Sequence, residues 1–317
     1  MEAALVGEIV VRSHRDEPPE ELVSLWNRSV RHDPIDTRTF VRKVFLDANF
    51  RREGLLLALE KGRPVGFCLA ITRHVALEHD PPDDPNGYIT AFGVDPAHAG
   101  AGIGARMFEA AERYVASKGK ARVLIAPYVP NYFVPGVDEK AYPGTGGFLV
   151  ARGYGRAGGA LAMDALLGER DPLAGLDEPE ATLEARGVRV RPLTEGLIPA
   201  LFEFLRAEAP ADWCRHARQV LFEGAPAADV TLAVSGDRVV GYCQFEGAHF
   251  GPFGVSESER GKGIGTVLLA RSLARMKARG EHCAWVVWTG EKAAPLYERL
   301  GFQRTRAFTL FAKELAL

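Results

Sequence analysis

Cysteine is scarce in this chain: four among 317 residues, at Cys68, Cys214, Cys243 and Cys283, far apart and with no CxxC pair. That spacing excludes a zinc ribbon and a disulfide framework, and reads as small hydrophobes in a reducing compartment. No apolar run approaches the roughly 20 residues that a membrane helix needs. The start, Met1-Glu2-Ala3-Ala4-Leu5, lacks a basic segment followed by an apolar core, so no signal peptide is expected. An excess of one charge is missing too, since 39 Lys and Arg face 41 Asp and Glu for a net charge of −2. A nucleic acid or a membrane surface would favour a basic patch, so neither is an expected partner. These absences predict a cytoplasmic protein with no metal.

What is present is ordinary globular material, 47% hydrophobic and 25% charged, in a chain about twice a common domain length. Two domains are therefore expected, and an internal repeat supports them. Phe92-Gly93-Val94, followed by Gly100, Gly102, Ile103 and Gly104, recurs without a gap as Phe253-Gly254-Val255, Gly261, Gly263, Ile264 and Gly265. The offset is 161 residues, one domain rather than one solenoid turn.

The flanking elements repeat in the same order. A strand at Glu8–Val11, helices over 18–30 and 37–46, and a hairpin about Lys61-Gly62-Arg63-Pro64 are predicted in the first half. A strand at Val188–Val190, helices over 197–207 and 212–222, and a hairpin about Ser235-Gly236-Asp237-Arg238 are predicted in the second. Leu167–Gly187 is rich in Gly, Pro and acidic residues without periodicity. The domains are accordingly placed at 1–170 and 186–317, with a linker at 171–185.

Each FGV segment reads as a strand, and each glycine loop opens a helix. Ile103, Met107, Ala111 and Tyr114 trace one apolar stripe; Ile264, Leu268, Ser272 and Met276 trace the other. Strand, glycine turn and helix together suit a phosphate group. The first-turn amides are unpaired, the helix dipole is positive at that end, and glycine lets an anion approach the backbone. A Walker A loop needs GxxxxGK[ST], but Lys262 is followed by Gly263. The GxGxxG dinucleotide fingerprint fails as well, because both loops read GxGxG. A glycine turn that merely packs a helix on a sheet stays open as the plain alternative.

Arg260-Gly261-Lys262-Gly263-Ile264-Gly265 resembles the [Q/R]xxGx[G/A] signature of the GCN5-related N-acetyltransferase superfamily. Downstream, Leu296-Tyr297-Glu298-Arg299-Leu300-Gly301-Phe302 is similar to that family's LYxxLGF segment. Two tandem domains of this kind in one chain resemble the mycothiol synthase arrangement. The resemblance implies an α/β (α+β) fold, each domain a mixed, mostly antiparallel sheet flanked by helices. It also implies acetyl-CoA as co-substrate and a primary amine as acceptor.

By this resemblance the pyrophosphate of coenzyme A lies on Arg260, Gly261, Lys262, Gly263, Ile264, Gly265 and Thr266. The pantetheine arm lies along Phe253, Gly254 and Val255. Phe92, Val94, Gly100, Gly102 and Gly104 are the matching positions of the first copy. Amine attack on a thioester expels a thiolate, and a phenol of pKa about 10 can protonate it. Tyr297 is the candidate general acid, or else a packing aromatic. The backbone amide of Val255 would stabilise the developing oxyanion. Glu246 and His249 are candidate bases, or else solvated strand-end residues.

The first copy departs from the signature. Ala99 stands where Arg or Gln is wanted, and Leu149 stands at the place of Tyr297. An inserted loop, 127–145, carries prolines, glycines and aromatics, with Tyr132 or Tyr142 as an alternative acid. The second copy is therefore expected to perform the chemistry, with a structural or substrate-shaping role for the first. A non-catalytic coenzyme A-binding sensor or scaffold is the competing expectation.

Overall fold

The structure is a computed structural model and describes residues 8–78, 84–168, 170–224 and 229–316. Met1–Leu5, on which the signal-peptide expectation rests, lie outside these residues. The chain divides into two compact units. One holds Met1–Ala76, Pro81–Gly159 and Phe308–Leu317; the other holds Leu77–Asp80 and Ala160–Ala307.

The first unit runs β1 (Ile9–Ser13), α1 (Pro19–Ser29), α2 (Thr37–Phe40), β2 (Leu55–Glu60), β3 (Arg63–Thr72), β4 (Asn86–Val94), α3 (Ile103–Ser117), β5 (Arg122–Ile125) and α4 (Thr145–Ala151). Strand β6 (Gly155–Leu166) leads out of it, and α5 (Asp177–Ala185) follows. The second unit continues β7 (Val188–Pro192), α6 (Ile198–Glu208), α7 (Ala211–Phe222), β8 (Val230–Ser235), β9 (Arg238–Glu246), β10 (His249–Val255), α8 (Ile264–Ala278), β11 (Cys283–Thr289) and α9 (Ala294–Arg299). Strand β12 (Gln303–Glu314) closes the chain.

In both units four antiparallel strands are followed by one parallel neighbour, β4 beside β5 and β10 beside β11. This is the mixed, mostly antiparallel sheet expected. Both hairpins form as two-residue turns, closing at Glu60↔Arg63 and Ser235↔Arg238. The two predicted helical stripes face the cores: Ile103, Met107, Ala111 and Tyr114 are buried, as are Ile264, Leu268, Ser272 and Met276. Helix α1 opens on Pro19 with Glu20 and Glu21 in its first turn, and buries Leu22, Val23, Leu25 and Trp26. It covers one face of its sheet while α3 covers the other. In the second unit α6 and α7 take one face, and α8 the other.

Two features depart from a reading along the sequence. Helix α5 forms within the stretch read as linker; it buries Leu183 alone, which leaves almost no periodic signal. Each sheet, moreover, is finished by a strand from the opposite half of the sequence. Phe311–Glu314 of β12 pairs with β5, and Leu161–Leu166 of β6 pairs with β11.

Candidate active site

Alternation along a strand decides which backbone groups are free. Ser256 donates its N–H to the Val240 carbonyl, at 2.9 Å, so the N–H of Val255 points to the opposite edge of β10. On that edge β11 pairs in register only at His249↔Trp285, and the two strands then diverge. Phe253, Gly254 and Val255 thus keep β9 on one side and an open wedge on the other. The first unit repeats this, because Asp95 donates to the Val65 carbonyl at 2.8 Å and β4 leaves β5 after Ile89↔Ile125.

Beyond the strand the backbone enters the left-handed region at Gly261 (φ 75) and Gly263 (φ 88), and α8 starts at Ile264. An added Cβ at either glycine meets nothing within 4 Å, so the space before the helix start is open. Any L residue there carries a strain of about 1–2 kcal/mol, and its Cβ would stand in that space. Gly265 differs: its Cβ would lie 3.3 Å from Leu296 and 3.4 Å from Phe253, so the Leu296 side chain would have to give by a few tenths of an ångström. Gly263→Ala should therefore fold, lose about 1–2 kcal/mol in chemical denaturation, and bind acetyl-CoA at least tenfold more weakly by calorimetry.

Cations gather at this loop. Arg260 donates from Nε to the Val255 carbonyl at 3.2 Å, and Lys262 Nζ lies 3.1 Å from Glu259. The loop glycines of the first unit have the same left-handed backbone (Gly100 φ 81, Gly102 φ 72), but Ala99 and Ala101 replace the two cations.

Tyr297 lies on α9, 4% exposed, with ring centroids 5.6 Å from Phe250, 6.0 Å from Phe253 and 5.5 Å from Phe302. Burial raises the phenol above its usual range, and the Thr289 side chain opposes that shift. In the first unit Leu149 occupies the matching core position, fully buried. Glu246 and His249 pair with each other across the β9–β10 turn, and the His249 ring lies 4.4 Å from Trp285. They stand six residues along β10 from Val255, on the order of 20 Å at the usual strand rise. The inserted loop is held against the α1 and α2 region: Tyr128 donates to Asp47 at 2.9 Å and Tyr142 to Asp33 at 2.7 Å. Lys43 donates to the Tyr132 carbonyl at 2.5 Å.

Two glycine loops with this backbone, beside two splayed strand pairs, lie within the two stretches that one family matches. Its model, described as the acetyltransferase (GNAT) family, matches residues 16–132 and 198–302. The chain belongs to the acetyltransferase (GNAT) family. It is an acyltransferase of the GNAT type, built as a tandem. Among solved structures this acetyltransferase resembles a GCN5-related glucosamine N-acetyltransferase region of a fungal multi-domain GH3 β-N-acetylglucosaminidase. The TM-score is 0.80 at 18% identity, over 98% of this chain and 39% of that one. The chain therefore spans about two fifths of that protein's length.

A GCN5-related N-acetyltransferase from Sphaerobacter thermophilus gives TM-score 0.70 at 17% identity, over 96% of this chain and 95% of that one. A tandem GNAT protein from the clavulanic acid biosynthesis pathway gives 0.66 at 16%, over 98% and 99%. At such identities the likeness is one of fold. No curated protein matches the sequence. Among the described residues no helix is long and apolar enough to cross a membrane, and no group of His, Cys, Asp or Glu could hold a metal ion.

Tertiary structure adds residues around this acetyltransferase's candidate site that no motif marks. Trp213 on α7 covers Gly254 so closely that an added Cβ would lie 2.9 Å from the indole, which explains the glycine of the FGV strand. Glu208 accepts from the Ser256 hydroxyl at 2.7 Å and from the Glu257 N–H at 3.2 Å, and these bonds, with the Ser256 one foremost, lower its pKa. Arg186 donates to the Lys262 carbonyl at 3.2 Å, bringing another cation to the glycine loop. Only the acidic and basic character of these residues is visible in sequence; their neighbours lie 48 to 76 positions away.

Proposed function

We propose that this protein transfers an acetyl group from acetyl-CoA to a primary amine, with the chemistry in the second copy. Acetyl-CoA supplies an activated acyl thioester. The amides of Ile264 and Gly265 and the cations Arg260 and Lys262 bind the diphosphate. The open edge of Phe253–Val255 holds the pantetheine arm as an added strand, and the Val255 N–H donates to the thioester oxygen. Tyr297 gives its proton to the departing sulfur as the amine nitrogen bonds to the acyl carbon. The amine proton leaves to solvent or a base. The first copy, with Ala99 and Leu149, has a structural or substrate-shaping role.

The observation that carries this reading is the coincidence, in the second copy alone, of an intact cationic loop and a tyrosine packed against the loop's own strand. The burial of Tyr297 favours a second reading, a non-catalytic coenzyme A-binding sensor, in which the ring is only core. A free-thiol assay with acetyl-CoA against glucosamine, spermidine, lysine and an alanine-led peptide separates the two. Glucosamine enters because of the activity printed for one structural neighbour. Amine-dependent thiol release supports transfer; acetyl-CoA binding without release from any amine supports the sensor.

The loop assignment has its own test. Arg260→Glu reverses a charge on an exposed side chain, so the fold should survive. The rise in Tm with acetyl-CoA should shrink to less than half of the unmodified protein's. An unchanged rise would mean that the diphosphate sits elsewhere.

A further inference from the structure

Helix α5, which forms in the stretch read as linker, lies along α8 within the second unit. Leu183 shares a core with Ile264, Val267 and Ala270 of α8, and Arg271 of α8 donates from Nε to Glu180 of α5 at 2.5 Å. At the other end Arg186, the residue that ends α5, donates from Nη1 to the Lys262 carbonyl at 3.2 Å. The two helices therefore run antiparallel, with the end of α5 beside the start of α8. Glu259 lies 3.5 Å from Arg186 Nη2 and 3.1 Å from Lys262 Nζ, so one carboxylate keeps both cations at the loop.

The carbonyl that Arg186 holds matters because of the peptide it belongs to. The 262–263 peptide is trans, so its N–H points away from its carbonyl. With the Lys262 carbonyl on Arg186, the Gly263 N–H is turned to the opposite side of the loop. Gly263 is left-handed (φ 88, ψ −13), and α8 begins at the next residue. Successive N–H groups at such a turn converge on a concavity that suits an anion. The Gly263 N–H is the first of that set, ahead of Ile264 and Gly265.

The geometry points to Arg186 as a positioning residue for the coenzyme A diphosphate, which sets the first amide of the glycine loop by holding the carbonyl behind it. This rests on the reading that this loop grips the diphosphate. Gly263 has no Cβ to resist rotation of the 262–263 peptide. Rotated, that peptide would present an oxygen to the diphosphate in place of a donor, and the guanidinium opposes this.

The test uses the full chain, unmodified and as Arg186→Ala, with calorimetric Kd values for coenzyme A and 3′-dephospho-coenzyme A. The variant should bind both about tenfold more weakly, and by the same factor, because the diphosphate is common to them. That factor should persist at high salt, where exposed charges are screened. Arg186 is exposed, so the free variant should unfold within about 2 °C of the unmodified protein. A loss seen with coenzyme A but not with its dephospho form overturns the inference, since the guanidinium would then meet the 3′-phosphate. A loss that vanishes at high salt, a much lower unfolding temperature, or unchanged affinity for both ligands also overturns it. None of these outcomes touches the loop reading, which pantetheine tests separately because it lacks the diphosphate. If the unmodified protein binds dephospho-coenzyme A no tighter than pantetheine, the loop reading falls, and this inference with it.

Discussion

Tyr297→Phe should lower kcat by about 100-fold or more, the usual span for losing a general acid, and leave acetyl-CoA affinity within about twofold. The two effects separate because the groups lie at different places. The proposed diphosphate contacts sit at the start of α8, whereas Tyr297 lies on α9 against Phe250 and Phe253.

The pH profile follows from burial. Ionisation would place a charge in an apolar core, so the phenol stays protonated past its ordinary value of about 10. The acid form is the working form, and it is lost only as pH rises through that elevated value. No falling limb of kcat below about pH 10 should therefore belong to Tyr297. Steady-state kinetics across that range check this. A limb near pH 8 that disappears in the Phe variant would overturn the assignment.

The first unit should be the more sensitive to loss of the carboxyl-terminal strand. Phe311 is wholly buried in its core, and β12 supplies the neighbour of β5. Phe311→Ala should cost about 3–5 kcal/mol, a large share of a typical domain stability of 5–15 kcal/mol. Deleting Phe308–Leu317 should leave the first unit unfolded, since β5 then presents an unpaired edge and the core an open side. Denaturant titration of Phe311→Ala and limited proteolysis of the truncated chain check both. A truncated chain whose first unit resists protease as well as the full one would mean that the exchanged strand is dispensable. The same topology predicts that residues 186–317 expressed alone lack the partner of β11.

The duplication, the glycine loops and the two families of elements are legible because each is a local signal. Glycine spacing separates GxGxG from its rivals without any tertiary contact, and the stripes from Ile103 to Tyr114 and Ile264 to Met276 follow from the helix period alone. Tyr297 was marked by its neighbours Leu296, Leu300, Gly301 and Phe302, yet its burial was not, because burial depends on what Phe250 and Phe253 bring from another strand. Glu246 and His249 stand close to the FGV strand along the chain. Closeness along an extended strand becomes distance in space, and the structure puts them at the far end of β10.

Family membership, the glycine loops and the unequal motif residues of the two copies were thus determined by sequence, since residue type and spacing carry them directly. Tertiary structure alone decided that the halves exchange strands, that Trp213 lies on Gly254, and that Thr289 turns to the buried face of β11. Strand pairing is a long-range choice among edges of similar composition, and a single extra residue in β11 reverses which face a side chain takes. Neither leaves a mark in the local pattern from which a sequence is read.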